Sequence, residues 1–104
     1  MKKCCDMKGF LSFTVLRLIR DGHGTGEEIR QELKKRKGSK PSPGTIYPVL
    51  KMLHKNCWIE EKKAKGKERR YKTTQKGKKE IENATKKFIA LFFDMEEEFE
   101  KWKR

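Results

Sequence analysis

Ser42-Pro43-Gly44-Thr45-Ile46-Tyr47-Pro48-Val49-Leu50-Lys51-Met52-Leu53 is the stretch on which the fold turns. Ser42 followed by Pro43 reads as a helix N-cap and a first helical residue, where a missing amide proton costs nothing. Ile46, Val49, Leu50 and Leu53 recur at helical spacing and define one apolar face. Thr45, Tyr47, Lys51 and Lys55 fall largely on other faces. Pro48 lies inside the helix and is expected to distort it locally, because proline removes an amide donor and crowds the preceding turn. The helix should end near Lys55-Asn56, with Asn56 taking a left-handed cap.

Upstream, Gly38-Ser39-Lys40-Pro41 reads as a turn. Before it, Thr25-Gly26-Glu27-Glu28 fits a capping box, with Thr25 as N-cap and Glu28 reaching back. Ile29 and Leu33 mark the apolar stripe of this second helix. Lys34-Lys35-Arg36-Lys37 suits its negative C-terminal end, and Gly38 its cap. Gly22-His23-Gly24-Thr25-Gly26 follows a helix rather than a strand, so it reads as an interhelical turn and not a phosphate loop. The first helix is expected from about Lys8 to Arg20, with Asp6 as N-cap and Gly22 beyond its end. Its apolar residues lie nearly all round, which calls for burial on more than one side.

Downstream, Trp58–Lys63 and Arg69–Thr73 read as strands, rich in residues that favour a pleated surface. Ala64-Lys65-Gly66-Lys67-Glu68 between them has hairpin length and contains glycine. Thr73 or Thr74 can cap a final helix from about Gln75 to Lys103, roughly 42 Å long. Three helices and a basic hairpin in this order make a mainly α fold, a winged helix-turn-helix with a two-stranded β-hairpin wing. The expected division is a DNA-binding domain over residues 1–74 and a C-terminal dimerisation helix over 75–104.

The charge is segregated. The chain of 104 residues carries 28 Lys/Arg against 15 Asp/Glu. Residues 34–72 hold fourteen Lys/Arg and three Glu, a net of +11, whereas residues 75–104 come to +1. A basic block beside a near-neutral tail points to a polyanion-binding surface next to a segment with another task. The longest apolar runs are too short to span a bilayer, and the N-terminus shows no secretory pattern. Cys4, Cys5 and Cys57 make no disulfide framework, which suits a reducing, cytoplasmic location at the nucleoid. No catalytic set and no cofactor motif stands out, so an enzyme is not expected. His54-x-x-Cys57 has ligand spacing, but nothing in the sequence brings Cys4, Cys5 or His23 to it, and no metal is expected.

The expected DNA-binding residues follow from the fold. A helix presenting Ser42, Thr45, Tyr47 and Lys51 fits a major groove, with its N-terminal residues towards base edges. Lys40 flanks that approach. Lys65, Lys67, Arg69 and Arg70 place charge on the wing, although alternation along a strand can turn one of the two arginines away. Trp58 and Tyr71 read as core. The rival reading is a nonspecific nucleic-acid-binding or architectural protein, since charge alone gives nonspecific binding. RNA readers usually display stacking aromatics on an open sheet, which this hairpin lacks.

Gly9-Phe10-Leu11-Ser12, the run Pro43 to Leu53, and the wing Gly66-Lys67-Glu68-Arg69-Arg70-Tyr71-Lys72-Thr73-Thr74 with Lys76-Gly77 closely resemble PadR-type transcriptional regulators. The resemblance covers the chain from about residue 7 onward, and its length resembles the short subgroup with a single C-terminal helix. It implies a dimeric winged-helix repressor, and for some members a small aromatic effector. Asn56-Cys57-Trp58-Ile59 departs from the pattern, which usually has Gly-Leu-Ile at the turn into the wing.

The last helix reads as a pairing element on its own evidence. Ile81, Phe88, Met95 and Trp102 recur every seven residues, Leu91 lies in the seam, and Phe92 and Phe99 widen it. With Phe10 of the first helix, these are the expected homodimer contacts. Phe88, Phe92, Met95, Phe99 and Trp102 could also line a flat slot for the aromatic effector. Asp94, Glu96, Glu97, Glu98 and Glu100 read as a solvated face or as partners for basic residues of the other protomer.

Overall fold

The computed structural model describes residues 7–62, 66 and 68–103, with the backbone alone for residues 7 and 8. The elements in order are α1 (Met7–Arg20), α2 (Gly26–Lys37), α3 (Pro43–Lys55), β1 (Ile59–Lys62), β2 (Arg70–Thr73) and α4 (Gln75–Phe92). A 3-10 turn over Phe93–Met95 then leads into α5 (Glu96–Trp102). Three helices, an antiparallel wing and a C-terminal helix make the winged helix-turn-helix expected from the sequence.

One core holds it together. Val15, Leu18 and Ile19 of α1, Ile29 and Leu33 of α2, and Ile46, Leu50 and Leu53 of α3 are buried. Each such side chain removed from water contributes about 2 kcal/mol. Ile59 opens β1 into this core, and Trp58 and Tyr71 pack against it half-buried. The boundary expected at 74/75 falls at Thr74, the N-cap of α4. The core continues across it through Ile81.

Local chemistry explains the ends. Thr25 accepts the Glu28 amide (3.1 Å), one half of the expected capping box of α2, while the Glu28 carboxylate reaches back to the Gly24 amide (2.9 Å). Gly22, with φ of 107°, ends α1: its N–H donates to Ile19 and the next N–H, of His23, to Leu18. That is a Schellman motif, which needs a left-handed residue. Asp6, the expected cap at the other end of α1, lies outside the described residues.

Three expectations are corrected. α3 runs unbroken through Pro48. The carbonyl deprived of its helical donor is that of Gly44, an exposed glycine with no Cβ to crowd the ring. Secondly, Asn56 is not left-handed. Its φ is −84°, and its side-chain amide donates to the Met52 carbonyl (2.9 Å). The left-handed residue is Cys57, at φ 64°. Its N–H donates to His54 and that of Trp58 to Leu53, a second Schellman motif with a cysteine at the glycine position. A non-glycine residue there costs about 1–2 kcal/mol. Cys57→Gly is therefore expected to stabilise the fold by about 0.5–1 kcal/mol, since glycine's own entropic cost offsets part of the relief. Thermal unfolding checks it, and a lowered melting temperature would contradict the strain.

The third correction is the last helix, which is not continuous to Lys103. No glycine or proline marks the break. A 3-10 turn brings positions i and i+3 into line, and Phe92 and Met95 stay half-buried, Phe92 against Phe88, while Phe93 and Asp94 are exposed.

Candidate nucleic-acid interface

α3 turns its apolar face inward and leaves Ser42, Thr45, Tyr47 and Lys51 exposed on the other. Ser42 caps through its backbone: its carbonyl accepts the Thr45 amide (3.0 Å), while its hydroxyl pairs with the Thr45 hydroxyl (3.2 Å). Two hydroxyls thus stand at the helix start, where unpaired amides attract anions. Tyr47 is 51% exposed. Its ring lies over Gly26, where a Cβ would collide with it. The phenol end of the ring thus rests against the start of α2 while about half of the side chain stays open.

A groove of about 500 Å³ runs between α3 and the wing, lined by Tyr47, Lys51, His54, Glu68, Arg69 and Tyr71 among others. Lys51 makes no ion pair among the described residues. Arg69 is exposed, with Nε 3.3 Å from Glu61 across the hairpin. His54, which the sequence suggested only as a metal ligand, stands edge-on to Tyr71 in this groove, with centroids 6.2 Å apart. Three residues beyond Lys51 and seven beyond Tyr47, it could have been placed on their exposed face from helical spacing. Glu68 was also missed. Gly66 forms the wing tip with φ of 79°. Lys65 and Lys67 lie outside the described residues.

Two of the expected cations are engaged. Lys40 Nζ lies 2.6 Å from Glu27 Oε2, and Arg70 Nη2 2.7 Å from Glu28 Oε2. The Arg70 hydrogen bond holds the Glu28 carboxyl below its ordinary range, against the opposing cost of burial, with the Gly24 amide helping. Lys40, then Gln31, does the same for Glu27. Depressed carboxylate pKa values act in one direction. What these pairs contribute is complete above the ordinary Glu range and is lost as pH falls through the lower folded-state values. Both pairs are partly exposed, so that contribution is small.

The C-terminal residues divide differently from the seven-residue reading. Ile81 is 4% exposed and belongs to the chain's own core, so it cannot face a second protomer. Phe88 is half-buried against α1, edge-on to Phe10 and stacked near Phe13, both at 6.4 Å. Phe92 tilts against it at 4.8 Å. The seam thus begins as intramolecular packing. Beyond it, Leu91 (72%), Phe93 (71%) and Trp102 (74%) are open, with Ile89, Phe99 and Phe10 also exposed. Ile89 and Phe93 were not anticipated. The run Ile89-Ala90-Leu91-Phe92-Phe93 is apolar on every side of a helix, which is the signal that finds them.

No helix among the described residues is long and apolar enough to cross a membrane. No group of three or more His, Cys, Asp or Glu among them is placed to hold a metal ion. Cys57 is exposed, while Cys4 and Cys5 lie outside the described residues.

The family model for the transcriptional regulator PadR-like family matches residues 15–83, two thirds of the chain. The chain belongs to the PadR-like family. The match runs from the middle of α1 through α3 and the wing into α4, so it takes in every exposed group on α3 described above. Solved PadR-like structures share the architecture. A PadR-like transcription factor from Bacteroides fragilis is 23% identical with a TM-score of 0.72, covering 86% of this chain and 90% of that one. A PadR-like transcriptional regulator from Bacillus cereus is 25% identical with a TM-score of 0.74, covering 88% and 92%. A Streptococcus transcriptional regulator is 26% identical with a TM-score of 0.74, covering 91% and 96%. No curated protein matches the sequence. As a member of the PadR-like family, the chain is a DNA-binding transcriptional regulator with a winged-helix fold, and the family is one of regulators rather than enzymes.

Proposed function

We propose that this PadR-like chain acts as a homodimeric, sequence-specific repressor in the cytoplasm. The observation that carries the reading is the exposed face of α3. It sets two hydroxyls, a half-open phenol and a lysine with no ion pair among the described residues beside a groove that ends on the wing. Ser42, Thr45 and Tyr47 would meet base edges in the major groove, and Lys51 and Arg69 the flanking phosphates. Lys65 and Lys67 would grip backbone from the wing tip. The exposed apolar residues of α4 and α5, with Phe10, support pairing of two copies. Two α3 helices about 34 Å apart would then enter successive major grooves of an imperfect palindrome. Occupying that site would exclude polymerase. Between protomers, Phe92, Met95, Phe99 and Trp102 would border the space where a planar aromatic effector could bind and release the operator.

The salt dependence of binding tests this. If about eight phosphates are neutralised per dimer, log affinity should fall against log salt with a slope near −7. Lys51→Ala should weaken binding to all sequences alike and reduce that slope by about 1 per lysine removed. Fluorescence titration of a labelled duplex at several salt concentrations measures both. A slope near zero would contradict the proposed contact surface.

A further inference from the structure

α2 opens with two adjacent acids that reach in opposite directions. Glu28 Oε1 accepts the Gly24 amide (2.9 Å), and its Oε2 accepts Arg70 Nη2 from β2, 42 residues away (2.7 Å). The main chain joins the same two segments. The Tyr71 amide donates to the Gly24 carbonyl (2.8 Å), and Thr25 bridges to Arg70 as a single rung on the outer edge of β2. A Cβ at Gly24 would press on the Tyr71 carbonyl, so the approach is close. Glu27 turns the other way. Its Oε2 accepts Lys40 Nζ (2.6 Å) and its Oε1 accepts Arg30 Nη1 (2.8 Å). Arg30 Nε in turn donates to the Pro41 carbonyl (2.7 Å). Lys40 and Pro41 form the turn that leads into α3.

One carboxylate therefore holds the wing and its neighbour holds the entry to the helix that would read DNA. We propose that Glu27 and Glu28 are positioning residues that fix the wing and α3 relative to each other, and that Arg70 and Lys40 serve DNA binding through these carboxylates rather than by touching phosphate. This rests on the DNA-binding reading above. Partly exposed ion pairs contribute little to global stability. A binding constellation nevertheless has to be held to about 0.5 Å by its supporting contacts.

The sign of the effect separates this from simple electrostatics. Removing a carboxylate from a surface that approaches a polyanion lowers repulsion and should tighten binding. Loss of a positioning contact should weaken specific binding instead. The probes are a duplex enriched by this protein from a random pool and a scrambled duplex of the same composition. Glu28→Gln is expected to lose about tenfold in affinity for the enriched duplex while binding the scrambled one equally or more tightly. Arg70→Gln should cost about the same, and the double variant no more than either single one, because both remove one contact. Melting temperatures of all three should stay within about 5 °C of the wild type. Additive losses would put Arg70 on a phosphate and overturn the proposal, as would unchanged or tighter binding of the enriched duplex by Glu28→Gln. If the wild-type chain prefers no sequence, the DNA reading has failed. The latch is then judged by hydrogen exchange at the Gly24 and Tyr71 amides. Glu28→Gln is expected to speed that exchange about tenfold, and unchanged rates would refute it.

Discussion

A Gly77→Ala variant is expected to lose about 3 kcal/mol of folding stability, a large share of what a domain of this size possesses. Helix propensity alone predicts the reverse, because alanine is favoured over glycine by up to about 1 kcal/mol inside a helix. Geometry overrides propensity here. Gly77 is buried in the first turn of α4, and a Cβ there would run into the Trp58 carbonyl, with Thr73 Cγ2 only 2.8 Å away. That carbonyl cannot retreat freely, since it accepts the Thr74 amide (3.0 Å). Thr74 in turn caps α4 through the Gly77 amide (2.9 Å) and donates its hydroxyl to the Cys57 carbonyl (2.7 Å). The added methyl must therefore push α4 away from the turn between α3 and β1. Urea unfolding of the two proteins side by side measures the loss. A midpoint at or above the wild type would show that the close approach is relaxed at no cost.

The second large effect concerns assembly. If two copies pair as proposed, Leu91→Lys combined with Phe93→Glu is expected to convert the dimer into monomers and to weaken binding to a two-site duplex by about 100-fold or more, because the second half-site loses its tether. Both side chains are more than 70% exposed in the single chain, so their replacement should leave the protomer fold almost untouched. Sedimentation reads the assembly, and titration of the same duplex reads the affinity. A double variant that still sediments as a dimer would move the interface away from the C-terminal segment. Ile81, though in the same seven-residue register, is a poor probe. It lies in the core, and its truncation would report on folding.

The contrast between these residues shows what could be read from sequence. Signals carried by neighbouring residues were legible. Thr25 with Glu28, Ser42 with Pro43, and the glycines at 22 and 38 each placed a helix end through chemistry confined to a few positions. The apolar spacing of α3 likewise gave its buried face. What escaped depended on partners far along the chain. Nothing in Arg70 and Glu28 announces a contact across 42 residues, and alternation along β2 could say only that one arginine turns aside. The left-handed residue after α3 was placed one position early. Asparagine favours that conformation, but here its side chain caps the Met52 carbonyl and passes the strain to Cys57. The seven-residue repeat ran together two environments. Ile81 and Phe88 face their own core and α1, and only beyond Phe88 do large apolar side chains of the helix stand open to solvent. The break at Phe93–Met95 has no breaker residue to mark it.

Selection of bound duplexes from a random double-stranded pool, at about 150 mM salt, asks whether the α3 face reads sequence. One pseudo-palindrome should be enriched, with half-sites about 10 base pairs apart, matching two α3 helices in successive major grooves. Binding that persists at low salt with no sequence enriched would contradict sequence readout, and would make the basic face a nonspecific clamp.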